Sequence, residues 1–399
     1  MDILQLHRKE PYPPSSGVDK RVWKTAERLS DFGDVSLAVP WDETVGVPHV
    51  NPVDVSTPWL DQKVFRIYAW TAIFLLDATT RRNPVDRLIT NAVLSSIADS
   101  GVEPDLVVCE CLQMGNAARE IARKHNAPLL VNHHNSEFRI VQQFLDDRGV
   151  PDAVADRLVA NFRDYERYTV NRADGVVFQS SENVTDFDLS GPGVYHVIPN
   201  GTDVEEIRTS DPENVPVEDL GIDPSKPTAI FVGAFDYEPN KKAADAIAET
   251  IAPACPDVEF FVVGRSPPAY DQSNVFTPGF VEDLGSFLQY ADVALCPLTM
   301  GSGTKLKMLD YLAAGLPIVT TPTGTQGLEL DNGVHVLQVD RPEAFPEAIR
   351  TVLESEEQRK NLEENALDIA DQYSWETLLA GYEEIVWNLT DESTVTPEA

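Results

Sequence analysis

The chain has 399 residues, more than one hydrophobic core normally serves, and an ordinary apolar share of 42%. Its 65 acidic against 31 basic residues leave a formal charge of −34, which excludes a surface made for nucleic acid or anionic lipid at ordinary ionic strength. The acids are interspersed with hydrophobic runs, which excludes a disordered polyanion.

In chain order, DILQLH reads as a first strand, not a secretion signal. A helical pattern follows in DKRVWKTAERLSDFG. Strands are predicted at VSLAVP, KVFRIYA, DLVVCE, PLLVNH and GVVFQS, with a long helix in DAVADRLVANFRDYERYTVNRA before the last of them. The pattern restarts after YHVIPNGTD. A polar, proline- and acid-rich connection then leads into AIFVGAF, EFFVVG, VALCPL, PIVTT and HVLQV. Strands rich in Val, Ile and Phe alternating with helices predict parallel sheets with helices on both faces. The expected fold class is α/β, with two doubly wound, Rossmann-like domains over 1–195 and 196–374. A helix at about 375–390 is expected to pack back on the first domain, followed by a disordered acidic tail, 391–399.

The apolar stretch WTAIFLLD is too short to span a membrane, so a cytoplasmic location is expected, with peripheral contact at the membrane's cytoplasmic face left open. The charge suits a very salty cytoplasm, where self-repulsion is screened over a few ångströms and carboxylates keep the surface hydrated. A halophilic archaeal source is therefore expected, a merely acidic mesophilic enzyme being the alternative. Cys109, Cys111, Cys255 and Cys296 are too few and scattered for a disulfide framework, and zinc would need further ligands at suitable spacing. Buried, reduced thiols are expected.

The strongest local pattern is CPLTMGSGTKLKMLDYLAAGLPIVTT. A strand ends at Leu298, a loop carries Gly301 and Gly303, and a helix opens near Thr304 and stops at Gly315. Glycines let a ligand approach the backbone. A helix N-terminus favours an anion, and Lys305 reaches a phosphate from the first turn. The spacing sets Gly303, Lys307 and Asp310 on roughly one side. In the plainer reading the glycines only make the turn, Lys305 and Lys307 are solvated, and Asp310 pairs with a lysine. The first half offers HRKEPYPPSSGVDKRV, where Gly17 precedes a helix opening at Val18 or Asp19 and backbone N–H groups suit an anion. The three-glycine dinucleotide fingerprint is missing. His133 and His134 end the strand PLLVNH on opposite faces, where histidines are often structural.

The glycine–lysine segment resembles the "G-x-G-T-K/R-L-K … acid … A-x-G-x-P-V-V" stretch of the family-4 retaining glycosyltransferases, whose fold, called GT-B, sets two such domains facing across a cleft. VYHVIPNGTD is similar to that family's "V-I-P-N-G-V-D" at the start of the donor domain. AIFVGAFDYEPNKKAADAI, VFTPGFVEDLGSFLQYADVALCPL, PYPPSSGVDKRV and QYSWE resemble further family motifs in the expected order.

The resemblance implies that Gly303 and Thr304 contact a donor diphosphate through the backbone, with Lys305 as its cation. Asp310 would hold the ribose hydroxyls, and Val281 would lie beside the base. Gly233 would belong to the donor loop, and Asn240 or Lys241 falls where the family often has a phosphate-contacting lysine. His134 would face the transferred sugar, ahead of His133 and of Glu137, which would instead orient that loop. Gly17 and Val18 would lie near the phosphate or the acceptor. Two departures stand out. The family's first acid is Ser302 here, so the donor sugar cannot be carried over. The arginine after "V-G" is Ala234.

The expected reaction moves a sugar from a nucleoside diphosphate to a glycan, lipid-linked or other hydroxyl acceptor, with retention. The leaving phosphate would help deprotonate the acceptor, and neither a metal nor another cofactor is expected. A sugar-nucleotide epimerase or phosphorylase of the same fold is one alternative, and a non-catalytic sugar-nucleotide binder is another.

Overall fold

The computed structural model of the protein describes residues 1–12, 14, 17–40, 47–55, 84–187, 189–191, 193–301 and 304–391. The expected strand KVFRIYA, the stretch WTAIFLLD, Ser302, Gly303 and the tail from 392 lie outside those residues. The chain divides into two compact units, Met1–Pro199 with Leu379–Ala399, and Asn200–Leu378.

The first unit carries β1 (Asp2–Leu6), β2 (Asp34–Pro40), β3 (Asn51–Val55), β4 (Leu106–Cys109), β5 (Leu129–His133), β6 (Gly175–Phe178) and β7 (Val194–Val197). They form one parallel sheet in the order β3-β2-β1-β4-β5-β6-β7. Every residue of β4, β5 and β6 is buried, as expected for strands covered by helices on both faces. The winding reverses between β1 and β4, so the loops leaving those two strands diverge. Open α/β sheets bind ligands at such a point.

The second unit carries β8 (Thr228–Val232), β9 (Glu259–Val263), β10 (Val275–Gly279), β11 (Val293–Cys296), β12 (Ile318–Thr320) and β13 (Leu337–Gln338). These are parallel in the order β10-β9-β8-β11-β12-β13, and the winding reverses between β8 and β11. Its core is built on Phe231, Phe260, Phe261, Leu295 and Tyr311.

Three strands, β3, β7 and β10, were not expected. β3 contains Pro52, and β10 contains Pro278 and an irregular register, both of which weaken the strand pattern. β7 lies at the sheet edge with Val194, Tyr195 and Val197 exposed. The boundary expected at 195/196 would cut β7, whose ladder with β6 runs to Val197. The helix expected over 375–390 is two helices, Trp375–Leu379 and Tyr382–Thr390, separated by Ala380 and Gly381, where glycine weakens helical continuity. The second helix packs on the first unit through Trp387 against Phe32 and Arg28 beside Glu383 at 3.6 Å. All four cysteines are buried and unpaired.

Candidate active site

In the first unit, a buried polar cluster gathers where β1, β4, β5 and β6 end. Glu110, one residue beyond β4, is fully buried. One of its carboxylate oxygens accepts from Gln5 Nε2 and from Asn132 Nδ2, each at 2.7 Å. The other lies 2.9 Å from His134 Nε2. His134 Nδ1 sits 3.0 Å from Gln179 Nε2, which can only donate. The ring is therefore the neutral Nε2–H tautomer, donating to Glu110 and accepting from Gln179. Burial lowers the His134 pKa, partly offset by Glu110. Tyr382 completes the cluster by donating to Asn132 Oδ1 at 2.8 Å.

His133 turns away from His134. Its Nε2 is 2.9 Å from Glu166, and its ring packs edge-on against Phe187. Glu166 also accepts the backbone N–H groups of Glu137 and Phe138, capping the helix Glu137–Asp147. His133 and Glu137 thus serve the loop and helix, whereas His134 belongs to the polar cluster. His7, just past β1, is fully buried with no hydrogen-bond partner for either ring nitrogen among the described residues. The first-domain helix starts at Gly17 itself, ahead of the expected Val18. Val18 follows in its first turn, and the buried Asp19 takes the Lys9 ammonium at 2.8 Å.

In the second unit, the loops after β8 and β11 leave adjacent strands at the winding reversal. The β8 loop is tightly built. Gly264, at φ +138, lies so close to the Gly233 carbonyl that a Cβ would come within 1.8 Å of its oxygen. Only glycine fits there. Asn240 packs on Gly233, and its Nδ2 donates to the Ala234 carbonyl at 2.9 Å. Its Oδ1 accepts from Lys307 Nζ at 2.8 Å. Both polar atoms of Asn240 are thus engaged within the unit, while Lys241 is exposed.

The β11 loop turns at Gly301, φ +113, and leads to the helix Leu306–Ala313. The helix opens later than expected. Lys305 is its N-cap residue in extended conformation, not a first-turn residue, and its side chain is buried. Burial lowers its pKa. Thr304 packs against Gly327, and Val281 packs on the core while Phe280 beside it is exposed. Asp310 accepts from the Thr202 hydroxyl at 2.6 Å. Lys307 is partly buried, not a freely solvated side chain. Its ammonium stands 4.1 Å over the centroid of the buried Phe231 ring. Glu110, Gln179 and Tyr382 join the site without belonging to any motif of the sequence. Only Glu110 carried a signal, as an acid ending the apolar run of DLVVCE.

Among the described residues no cluster of three or more potential metal ligands occurs, and no helix is long and apolar enough to cross a membrane.

No curated protein matches the sequence. Residues 226–355 match the model described as glycosyl transferases group 1, and residues 16–201 match the glycosyl transferase 4-like domain. The fold is similar to sucrose-phosphate synthase from Thermosynechococcus elongatus, with a TM-score of 0.71 at 16% identity over 98% of this chain and 99% of that one. HepE from Anabaena, in complex with UDP and glucose, gives 0.69 at 16% identity over 98% and 100%. WaaG, a glycosyltransferase involved in lipopolysaccharide biosynthesis, gives 0.66 at 15% over 96% and 99%. The two family models together take in well over half of the sequence and fall on the two doubly wound units, so the chain belongs to the group 1, family-4-type glycosyltransferases of GT-B fold.

Proposed function

We propose that this glycosyltransferase moves a sugar from a nucleoside diphosphate sugar to an acceptor hydroxyl, with retention, in the synthesis of an envelope glycan or glycoconjugate. The observation that carries the donor assignment is the meeting of two loops at the β8/β11 reversal, one closed by Asn240 and the other running through buried Lys305 into a helix N-terminus. Backbone N–H groups of that terminus and the lysine favour a diphosphate. The fold neighbour HepE binds UDP and glucose, which agrees in chemistry.

In this reading Thr304 and Lys305, with Gly303 and Ser302, hold the diphosphate. Asp310 holds the ribose, Val281 lies by the base, and Gly233 shapes the loop. His134, neutral and fixed by Glu110 and Gln179, borders the transferred sugar, with Gly17 and Val18 near the phosphate or acceptor. Negative charge grows on the diphosphate as its bond to the anomeric carbon breaks, and a preorganised helix terminus plus lysine meets that charge. The leaving phosphate takes the acceptor's proton, so no protein base and no metal enter the scheme. The enzyme works in the cytoplasm, with peripheral membrane contact where its acceptor is lipid-linked.

A thermal-shift screen of nucleotide sugars should identify the donor. Release of nucleoside diphosphate that requires an acceptor would establish transfer. Donor binding without such release would replace this reading with a sugar-nucleotide binder, and acceptor-free conversion of the donor would replace it with an epimerase.

A further inference from the structure

In the first unit the helices Glu137–Asp147 and Asp152–Val170 line an open cavity of about 470 Å³. That size is ordinary for a small-molecule site. Phe138, Val159 and Ala160 give it an apolar lining. The polar lining carries both signs, with Arg163 and Arg167 against Asp156 and Asp164, and Gln142 beside them. These polar side chains are exposed and so open to a ligand. Their charges do not cancel in pairs. Asp164 stands one turn before Arg167 on one helix, where opposite charges meet readily. Yet among the described residues neither aspartate makes an ion pair, and the Gln142 amide makes no hydrogen bond. Arg163 leans over the Phe138 ring, 5.0 Å from its centroid, and gives one N–H to the Asp186 carbonyl at 3.3 Å. Further N–H donors remain on its guanidinium. The cavity lies one aromatic layer from His133: Phe138 meets Phe187 edge-on at 6.5 Å, and Phe187 meets the His133 ring at 4.9 Å. None of its lining residues belongs to the Glu110–His134 cluster.

We propose that this cavity is a saccharide subsite, and that it takes a neutral oligosaccharide, the part of the acceptor glycan remote from the reacting hydroxyl. The inference rests on the transfer reaction proposed above. An anion would meet Asp156 and Asp164, and a cation would meet Arg163 and Arg167, so either charge is opposed. A hydroxyl both donates and accepts. A neutral polyol therefore suits both signs at once, donating to the aspartates and accepting from the arginines and from Gln142. The C–H face of a sugar ring suits Val159 and Ala160 beside Phe138. The chain's formal charge of −34 disfavours an anionic glycan further. Because the cavity is set apart from the His134 cluster by the His133 layer, an acceptor that reaches both is a chain, not a single sugar. Contacts made there would hold the acceptor and take no part in the bond changes.

The test titrates the full chain with the neutral trisaccharides maltotriose, cellotriose, mannotriose and triacetylchitotriose, using calorimetry and saturation-transfer NMR. Sialyllactose serves as the anionic comparison. UDP and GDP are titrated alongside. Two variants probe the cavity, and circular dichroism confirms their folding. Ala160→Leu fills it from an exposed helix position with a good helix former. Asp164→Ala removes an acceptor and keeps the apolar lining. At least one neutral trisaccharide should bind saturably and more tightly than sialyllactose. Ala160→Leu should weaken it by about tenfold or more, and Asp164→Ala by about three- to tenfold. Should Ala160→Leu not fold, Asp164→Ala decides alone. No binding by any of the four trisaccharides, tighter binding of sialyllactose, or binding that the folded variants leave unchanged would overturn the inference. UDP or GDP binding without saccharide binding would overturn it alone. Saccharide binding without UDP or GDP binding would instead overturn the donor assignment.

Discussion

His134 and Glu110 are a buried pair, ring Nε2 to carboxylate oxygen at 2.9 Å, with the far side of the ring held by Gln179 at 3.0 Å. A histidine gripped at both nitrogens has no free ring nitrogen with which to exchange a proton, so in the proposed reaction His134 is expected to act by position and polarity. Glu110→Gln keeps the shape but removes the charge that accepts the Nε2–H. It should lower turnover roughly tenfold, the effect of misplacing one hydrogen-bonded group. His134→Ala should lower turnover more than it weakens the free nucleoside diphosphate. Equal losses for nucleotide and intact donor would make the pair structural.

The acid limb of stability is expected to depend on buried histidines. His7 is held well below the ordinary range by burial, then by Arg8, the neighbouring His134 and Lys9; His134 is lowered chiefly by burial. The unfolded chain takes up protons below about pH 6.5 that the folded chain refuses. Stability is therefore complete above that pH and falls below it, by at most about 2 kcal/mol per histidine at pH 5. His7→Leu should shrink the drop in unfolding midpoint between pH 7.5 and 5. An unchanged drop would remove His7 from the account.

Lys305→Ala should remove one charge-assisted contact with the donor diphosphate, about 1.5–3 kcal/mol. That corresponds to a roughly ten- to hundredfold loss of kcat/KM. Part of the loss belongs in kcat, since charge on the leaving group grows at the transition state. Steady-state kinetics on the folded variant check this, and parent-like kinetics would move the diphosphate away from this helix. Lys307 is no control here, because it bears on the same two loops.

Salt should stabilise the protein. A net charge of −34 repels itself over about 10 Å at 0.1 M salt but over only about 3 Å at 1 M. Unfolding midpoints should climb from low to molar potassium chloride. A flat or falling series would leave the acidic surface without a halophilic explanation.

Activity should survive chelation. The proposed scheme neutralises the leaving diphosphate with a lysine and a helix terminus and uses no metal cation. Activity that vanishes with a chelator and returns with magnesium or manganese would show that an ion shares this task.

What the sequence determined by itself was local. The alternation of Val- and Ile-rich runs with helical patterns announced two parallel sheets, and the glycine–lysine segment announced a loop, a helix and its stop at Gly315, which takes φ +70. Such features depend on near neighbours: strand-forming residues, periodicity, and a glycine where the backbone turns left-handed. Short or edge strands such as β7 escaped because their residues are not buried on a repeating face. The pairing of polar groups was decided only by the tertiary structure. His134 meets Glu110 across 24 positions, Gln179 across 45, and Lys307 meets Asn240 across 67. Tyr382 reaches Asn132 across 250. Parallel register brings strand ends together from distant parts of the chain, and the folded interior then removes water from them. Packing, which no local pattern encodes, turned Lys307 from an apparent surface charge into a partly buried one held by Asn240 and Phe231, and set His134, not His133, into the polar cluster.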